Sequence, residues 1–327
     1  MTTSLVCGGA GYIGSHMVRA LLERGERAIV LDDLSKGHRE FVPDETAFYK
    51  GDIRDEELLD RIFRENAVDA VFHFAAFIQV GESVQRPLKY YENNVTGILR
   101  ILECMVRHKT PHIVFSSTAA VYGEPDVVPI PEDLPTAPTN PYGETKLAVE
   151  KMLRWASAAH GFTYGALRYF NACGAVEDAS VGEAHDPETH LIPLVLDAAA
   201  GGRESISIFG DDYDTPDGTC IRDYVHVTDL AQAHLLTLDA LRRGEGNKTF
   251  NLGNGRGFSV NEVIDACRRV TGREIRVSRS PRRPGDPARL IASSERIRKE
   301  LGWKPRYTDL DAIVETAWRW RLKYGKV

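Results

Sequence analysis

Short apolar runs alternate with longer stretches in which apolar residues recur every three or four positions, and this alternation fills the first half of the chain. SLVCGG from Ser4, RAIVLDD from Arg27, FYKGDI from Phe48, DAVFHFAA from Asp69 and HIVFSST from His112 have the length of strands. Each ends in Gly, Asp, Ser, Thr or another small residue, or at a turn. Between them, GSHMVRALLERG from Gly14, DEELLDRIFREN from Asp55 and NNVTGILRILECMVRH from Asn93 carry the spacing of amphipathic helices. Strand and helix in repetition predict a parallel sheet covered on both faces, with ligands bound beyond the carboxyl ends of its strands.

Residues 123 to 141 interrupt the pattern with Pro125, Pro129, Pro131, Pro135, Pro138 and Pro141, and read as a long ordered loop of functional type. A helix is predicted from Tyr142 to His160, with Pro141 in its first turn and Asn140 or Thr139 as cap. After Asn171 loops become frequent: Gly174 to His190, Gly210 to Thr219 and Arg279 to Pro287. The expected organisation is therefore an α/β, Rossmann-type, doubly wound parallel sheet over residues 1–171. A smaller mixed α/β region over 172–327 follows, and a segment near 222–241 returns to the first unit.

Composition narrows the function. The 327 residues are 43% hydrophobic and 27% charged, with a net charge of −6 and both signs mixed along the chain. This excludes the clustered basic surface of a nucleic-acid binder. The apolar run from Leu191 to Ala200 is about half a bilayer span and contains Asp197. The first residues lack the features of a secretory signal. Cys7, Cys104, Cys173, Cys220 and Cys267 are dispersed and without a CxxC pair, as expected of free thiols in a cytoplasmic protein with no zinc site.

Candidate chemistry falls at the strand ends. Gly8, Gly11 and Gly14 form GGAGYIG between the first strand and first helix, where backbone amides and a helix N-terminus can meet a pyrophosphate. Asp32 ends the second strand, placed to accept from an adenosine ribose, which favours NAD over NADP despite Lys36 and Arg39 nearby. Asp52 and Ile53 follow the third strand, and Phe74, Ala75 and Ala76 the fourth. Tyr142 and Lys146 share a helical face, Thr118 ends the fifth strand, and a lysine ammonium with a helix N-terminus is expected to lower the tyrosine pKa. His108 and His112 bracket Pro111 and are expected to face solvent. His16 reads as a packing residue, Cys7 and Cys173 as bordering the site, and GDDYDTPDG as a turn beside the substrate.

GGAGYIGSH, GDIRD, HFAA, VGESV, YYENNV, FSSTAAVYG, PYGETK, LRYFNACGA, DGTCIRDYVHV and RRPGD, in this order, span nearly the whole chain. Together they resemble the UDP-sugar 4-epimerase branch of the extended short-chain dehydrogenase/reductase family, the NAD-dependent epimerase/dehydratase proteins. The resemblance implies interconversion of UDP-galactose and UDP-glucose through a 4-keto sugar, with tightly bound NAD taking and returning hydride. It implies NAD contacts at Tyr12, Ile13, Asp32, Asp52, Ile53, Phe74, Asn93, Tyr142, Lys146 and Phe170. Tyr142 would be the acid/base, tuned by Lys146 and flanked by Thr118. UDP-sugar contacts would be Asn171, Leu191, Phe209, Arg222, Arg283 and Asp286, and a homodimer would form through the helices near Asn93–His108 and after Tyr142.

Three departures stand out. The family's lysine after the HFAA segment is replaced around Ile78 and Gln79. His190 stands for an asparagine near the sugar. Leu290 stands for a bulky tyrosine of some members, which opens the expectation that N-acetylated UDP-sugars enter. A dehydratase is disfavoured by Ala119 and Ala120, where that chemistry needs acidic residues. UDP-xylose/UDP-arabinose interconversion and a non-catalytic NAD-sensing role remain as alternatives.

Overall fold

The computed structural model describes residues 2–283 and 286–325, so Pro284 and Gly285 of the RRPGD segment lie outside the described residues. Strands β1 (Thr3–Cys7), β2 (Arg27–Asp32), β3 (Ala47–Lys50), β4 (Ala70–His73), β5 (His112–Thr118) and β6 (Thr163–Tyr169) are parallel. A seventh strand, Lys248–Leu252, adds to β6. From that edge the order runs Lys248–Leu252, β6, β5, β4, β1, β2, β3. The order reverses between β1 and β4, and a crevice opens there beyond the strand ends.

Strands covered on both faces carry nearly unbroken apolar runs, as β1, β2 and β5 do. On one face pack α1 (Tyr12–Glu23) and α8 (Val227–Arg242) through Met17, Val18, Leu21, Leu230 and Leu238. On the other lie α2 (Glu56–Glu65), α5 (Gly97–His108) and α6 (Pro141–His160) through Leu59, Ile62, Ile101, Met105 and Leu153. Each of these five residues is fully buried. Removing the side chain of one, as in Leu59→Ala, costs about 2–5 kcal/mol. Asp55 caps α2 by accepting from the Leu58 amide at 3.0 Å, and Asn140 caps α6 by accepting from Gly143 at 2.9 Å.

Between β4 and α5 lie α3 (Val80–Gln85), α4 (Pro87–Tyr91) and a π-turn, Glu92–Thr96. Asn93 of this turn lines the crevice, and the buried Asn94 beside it ties Phe77 to Thr145, a frequent use of such bulges at sites. Beyond β6, short strands pair Asn171–Cys173 with Tyr224–His226 and Ile206–Phe209 with Val277–Ser280. Together with α7 (Leu191–Ala199) and the helices Val260–Thr271 and Leu310–Tyr324 they enclose a second core around Val195, Ile264 and Ile313.

Two expectations are corrected. His108 does not face open solvent: it stacks on Phe63 and bonds Asp60 at 2.8 Å, because α2 lies alongside α5. His112 is half-buried and bonds the Thr163 hydroxyl of β6 at 2.8 Å.

Candidate active site

A cavity of about 710 Å³ occupies the crevice, walled by the loops after β1, β2, β3, β4 and β5, the start of α6 and the second region. At one end is the glycine turn. Gly8 has φ +81°, and a Cβ there would stand 2.7 Å from the Ala75 amide. A Cβ on Gly14 would meet the Gly8 carbonyl oxygen at 2.0 Å, so the first turn of α1 can lie against the turn only as glycine. Gly11, Tyr12 and Ile13 line the cavity beside them.

Asp32 closes this end. Its carboxylate accepts from the Ala10 and Leu34 amides, both at 2.9 Å, while burial pushes its pKa up against those bonds. Lys36 lines the wall and donates to the Asp186 carbonyl. Asp52 lies in the clasp of Arg54, 2.9 Å from Nε to Oδ1, which holds its carboxyl below the usual range. Ile53 packs on Gly97. Phe74 and Ala75 donate to the Cys7 carbonyl, and with Ala76 they run across the floor. Asn93 bonds the Asn94 side chain at 3.0 Å. A glycine turn that admits no side chain, a carboxylate at the β2 end and a helix N-terminus between them fit an adenine dinucleotide.

At the centre are Tyr142, Lys146 and Thr118. The α6 N-terminus is fixed twice more: the Ser83 hydroxyl accepts from the Tyr142 amide at 3.2 Å, and Thr145 bonds the Tyr142 carbonyl at 2.7 Å. The Tyr142 ring is half-buried and lines the cavity. Burial therefore raises its pKa above the ordinary tyrosine value, and the Thr118 hydroxyl pulls it back. Thr118 accepts from the Ala120 amide at 3.2 Å, which leaves its proton free for the phenol oxygen or a ligand.

Lys146 reaches across to β5. Its ammonium donates to the Ser116 carbonyl at 2.7 Å, over the Phe115 ring and 6.0 Å from the Tyr142 ring centre. Burial brings its pKa down to about 7, opposed by the Glu150 carboxylate one turn along α6. Glu150 is tied to Arg168 in a buried two-point pair, with contacts of 2.9 and 2.6 Å.

At the far end, Phe170, Asn171, His190, Arg222 and Leu290 line the cavity. The Asn171 side chain donates to the Asp223 carbonyl at 2.8 Å. Arg222 bonds the Asp286 carboxylate, which Arg283 shares at 3.0 Å, and Arg283 lies over the Phe209 ring, 5.0 Å from its centre. Phe209, Arg283 and Asp286 thus continue the wall outward from Arg222 without lining the cavity, and Leu191 packs into the second core. Cys7 and Cys173 are buried and absent from the lining, since both side chains turn into the packed cores. The Gly210–Gly218 turn closes on itself through Tyr213 and Gly218 at 2.9 Å, and none of its residues lines the cavity.

Residues 4–253 match the NAD dependent epimerase/dehydratase family. The chain belongs to this family. It is 58% identical over 98% of its length to the UDP-glucose 4-epimerase of Halalkalibacterium halodurans, covering 96% of that protein. A crystal structure of a UDP-glucose 4-epimerase superposes with a TM-score of 0.97 at 53% identity, over 99% of this chain and 98% of that one. The Brucella ovis UDP-glucose 4-epimerase, solved in complex with NAD, superposes at 0.95 with 47% identity over 98% of both chains. Family membership accounts for the conjunction of a glycine turn, Asp32 and a Tyr–Lys pair in one cavity. Sequence reasoning missed Ser83, Asn94, Glu150 and Arg168, whose partners lie on other elements, and Glu183 and His185, which pair within the loop before α7. Only the EAH and ETH repeats in the loop before α7 offered a signal.

Proposed function

We propose that this chain interconverts UDP-galactose and UDP-glucose by inverting the sugar 4-hydroxyl, with NAD held in the glycine-turn half of the cavity. The observation that carries this reading is that Tyr142 and Thr118 line the same cavity as Asp32 and Arg222. NAD, when bound, supplies the acceptor and donor of hydride. Tyr142 Oη takes the proton of the sugar 4-hydroxyl and later returns it, and Thr118 Oγ1 steadies that oxygen. Lys146 binds the cofactor's sugar hydroxyls and brings a positive charge to the site. Arg222, Arg283 and Asp286 hold the nucleotide diphosphate and ribose, and few polar side chains grip the hexose, so the flat 4-keto sugar can turn over between the two transfers.

Purified protein given UDP-galactose without added cofactor is expected to form UDP-glucose and to carry NAD by mass spectrometry. Tyr142→Phe is expected to keep the NAD and lose the activity. Untouched UDP-galactose would sink the reading. A second reading follows from Leu290: its modest side chain in the wall leaves room for an N-acetyl group, so UDP-GlcNAc is also turned over, and Leu290→Tyr abolishes that activity selectively.

The same proposal includes a cytoplasmic homodimer joined through α5 and α6. Trp155 of α6 is 70% exposed and Leu99 of α5 is also exposed, whereas Ile98, Leu102 and Met105 are spent on the sheet. Sedimentation of Trp155→Glu as a monomer supports it; an unchanged dimer removes this surface from the account. Among the described residues no helix is long and apolar enough to cross a membrane.

A further inference from the structure

The loop between Gly174 and α7 carries Glu183, His185, Glu188 and His190, and all four turn a ligand atom toward one point. Their donor atoms lie within 4.8 Å of one another, the one such group among the described residues. His190 Nδ1 is 2.7 Å from Glu183 Oε1 and 2.9 Å from Glu188 Oε1. His185 Nδ1 is 3.1 Å from the same Glu183 oxygen and 3.5 Å from Glu188 Oε2.

We propose that these four side chains form a structural site for a divalent transition-metal ion, zinc foremost, which clasps the loop over the cavity. Donors about 2.0–2.1 Å from a tetrahedral zinc lie roughly 3.3 Å apart; the His–Glu contacts here run from 2.7 to 3.5 Å, with Glu188 using both of its oxygens. Two imidazoles present the same ring nitrogen to one carboxylate oxygen, with their ring centres 5.1 Å apart. Two imidazoles and two carboxylates, without a thiolate, suit zinc and its neighbours over magnesium or calcium. Four protein ligands fill a tetrahedron, so the ion has no open position and takes no part in the reaction.

The placement gives the clasp a purpose. The Glu183 side chain is nearly buried, at 6% exposure, and its carbonyl accepts from Trp320 at 2.8 Å. The Ala184 carbonyl is held by His38 at 2.8 Å and the Asp186 carbonyl by Lys36, so the loop bridges the segment after β2 to the last helix. The His185 ring stands edge-on to Tyr12 of the glycine turn, 6.0 Å between centres. Glu183, His185 and His190 also line the cavity. An ion at this point ties the wall that covers the cofactor half to the wall that covers the sugar half, all through eight consecutive residues.

The test uses the full chain without a histidine tag, incubated with zinc, dialysed against metal-free buffer and analysed by plasma mass spectrometry. Wild type is expected to hold about one zinc per chain, and Glu183→Gln/His185→Gln to lose tenfold or more of it while retaining native circular dichroism. Wild type without stoichiometric metal, or a double variant that keeps it, overturns the proposal and leaves a hydrogen-bonded cluster only. Should the variant not fold, cobalt added to chelator-treated wild type decides: the intense visible bands of tetrahedral cobalt support the site, and the weak bands of octahedral, water-rich cobalt refute it.

Discussion

The two ends of the cavity are built by different means. At the glycine-turn end the contacts are backbone contacts: Gly8 and Gly14 sit where a Cβ would collide with main-chain atoms, and Asp32 is fixed by two amides. At the other end the charged groups are side chains from a short strand and a loop that satisfy one another, with Arg222 and Arg283 sharing Asp286. The first end is shaped before any ligand arrives. Under the proposed function the second would exchange its internal ion pairs for those of a diphosphate, which would couple binding to rearrangement there.

That contrast can be broken by substitution. The largest effect is expected at Gly14→Val, whose side chain has no room against Gly8: NAD is no longer retained and soluble yield collapses, as read by mass spectrometry and expression. Tyr142→Phe comes next, lowering kcat by about 10²–10⁴-fold with NAD content unchanged. Arg222→Lys keeps the charge but not the fork, and is expected to raise KM for the UDP-sugar by about tenfold with NAD still bound. Arg283→Ala should cost less, within about fivefold in KM, because the arginine is 60% exposed in its pairing with Asp286. If Arg222→Lys released NAD, or Gly14→Val merely raised KM for the sugar, the division between the two ends would be wrong.

The sheet side also answers to pH. Burial holds His16 and His234 neutral, with pKa values down to about 4, and His73 and His226 down to about 3. Their folded pKa values lie below the unfolded one, so the unfolded chain binds more protons at moderately acid pH. The contribution of these four rings to stability is complete above about 6.5 and falls as pH drops toward the folded values, each group contributing up to about 1.4 kcal/mol per pH unit. The urea midpoint should therefore fall steeply between pH 7 and 5. A flat midpoint would place these rings in solvent.

The sheet was legible because its signals are local. Strand, glycine turn and helix follow one another within a few residues, and Tyr142 and Lys146 share a helical turn. The rest depends on partners far along the chain. The lysine was expected to acidify the tyrosine, yet the Ser116 carbonyl and Glu150 take up its charge. His108 looked solvent-facing because nothing near it in sequence announces Phe63 and Asp60. Nor does anything announce that Arg222 and Arg283, far apart in sequence, converge on one aspartate, or that Arg168 of β6 neutralises Glu150 of α6. Residue types were readable in these cases; their pairing was not.

The central claim is that hydride leaves and returns to the same sugar carbon inside a protein that keeps its cofactor. UDP-galactose deuterated at carbon 4, turned over without added NAD, tests it most directly. The account predicts UDP-glucose that retains the deuterium at carbon 4 in full. Product bearing solvent hydrogen at that carbon, or turnover only when NAD is supplied in each cycle, would contradict it.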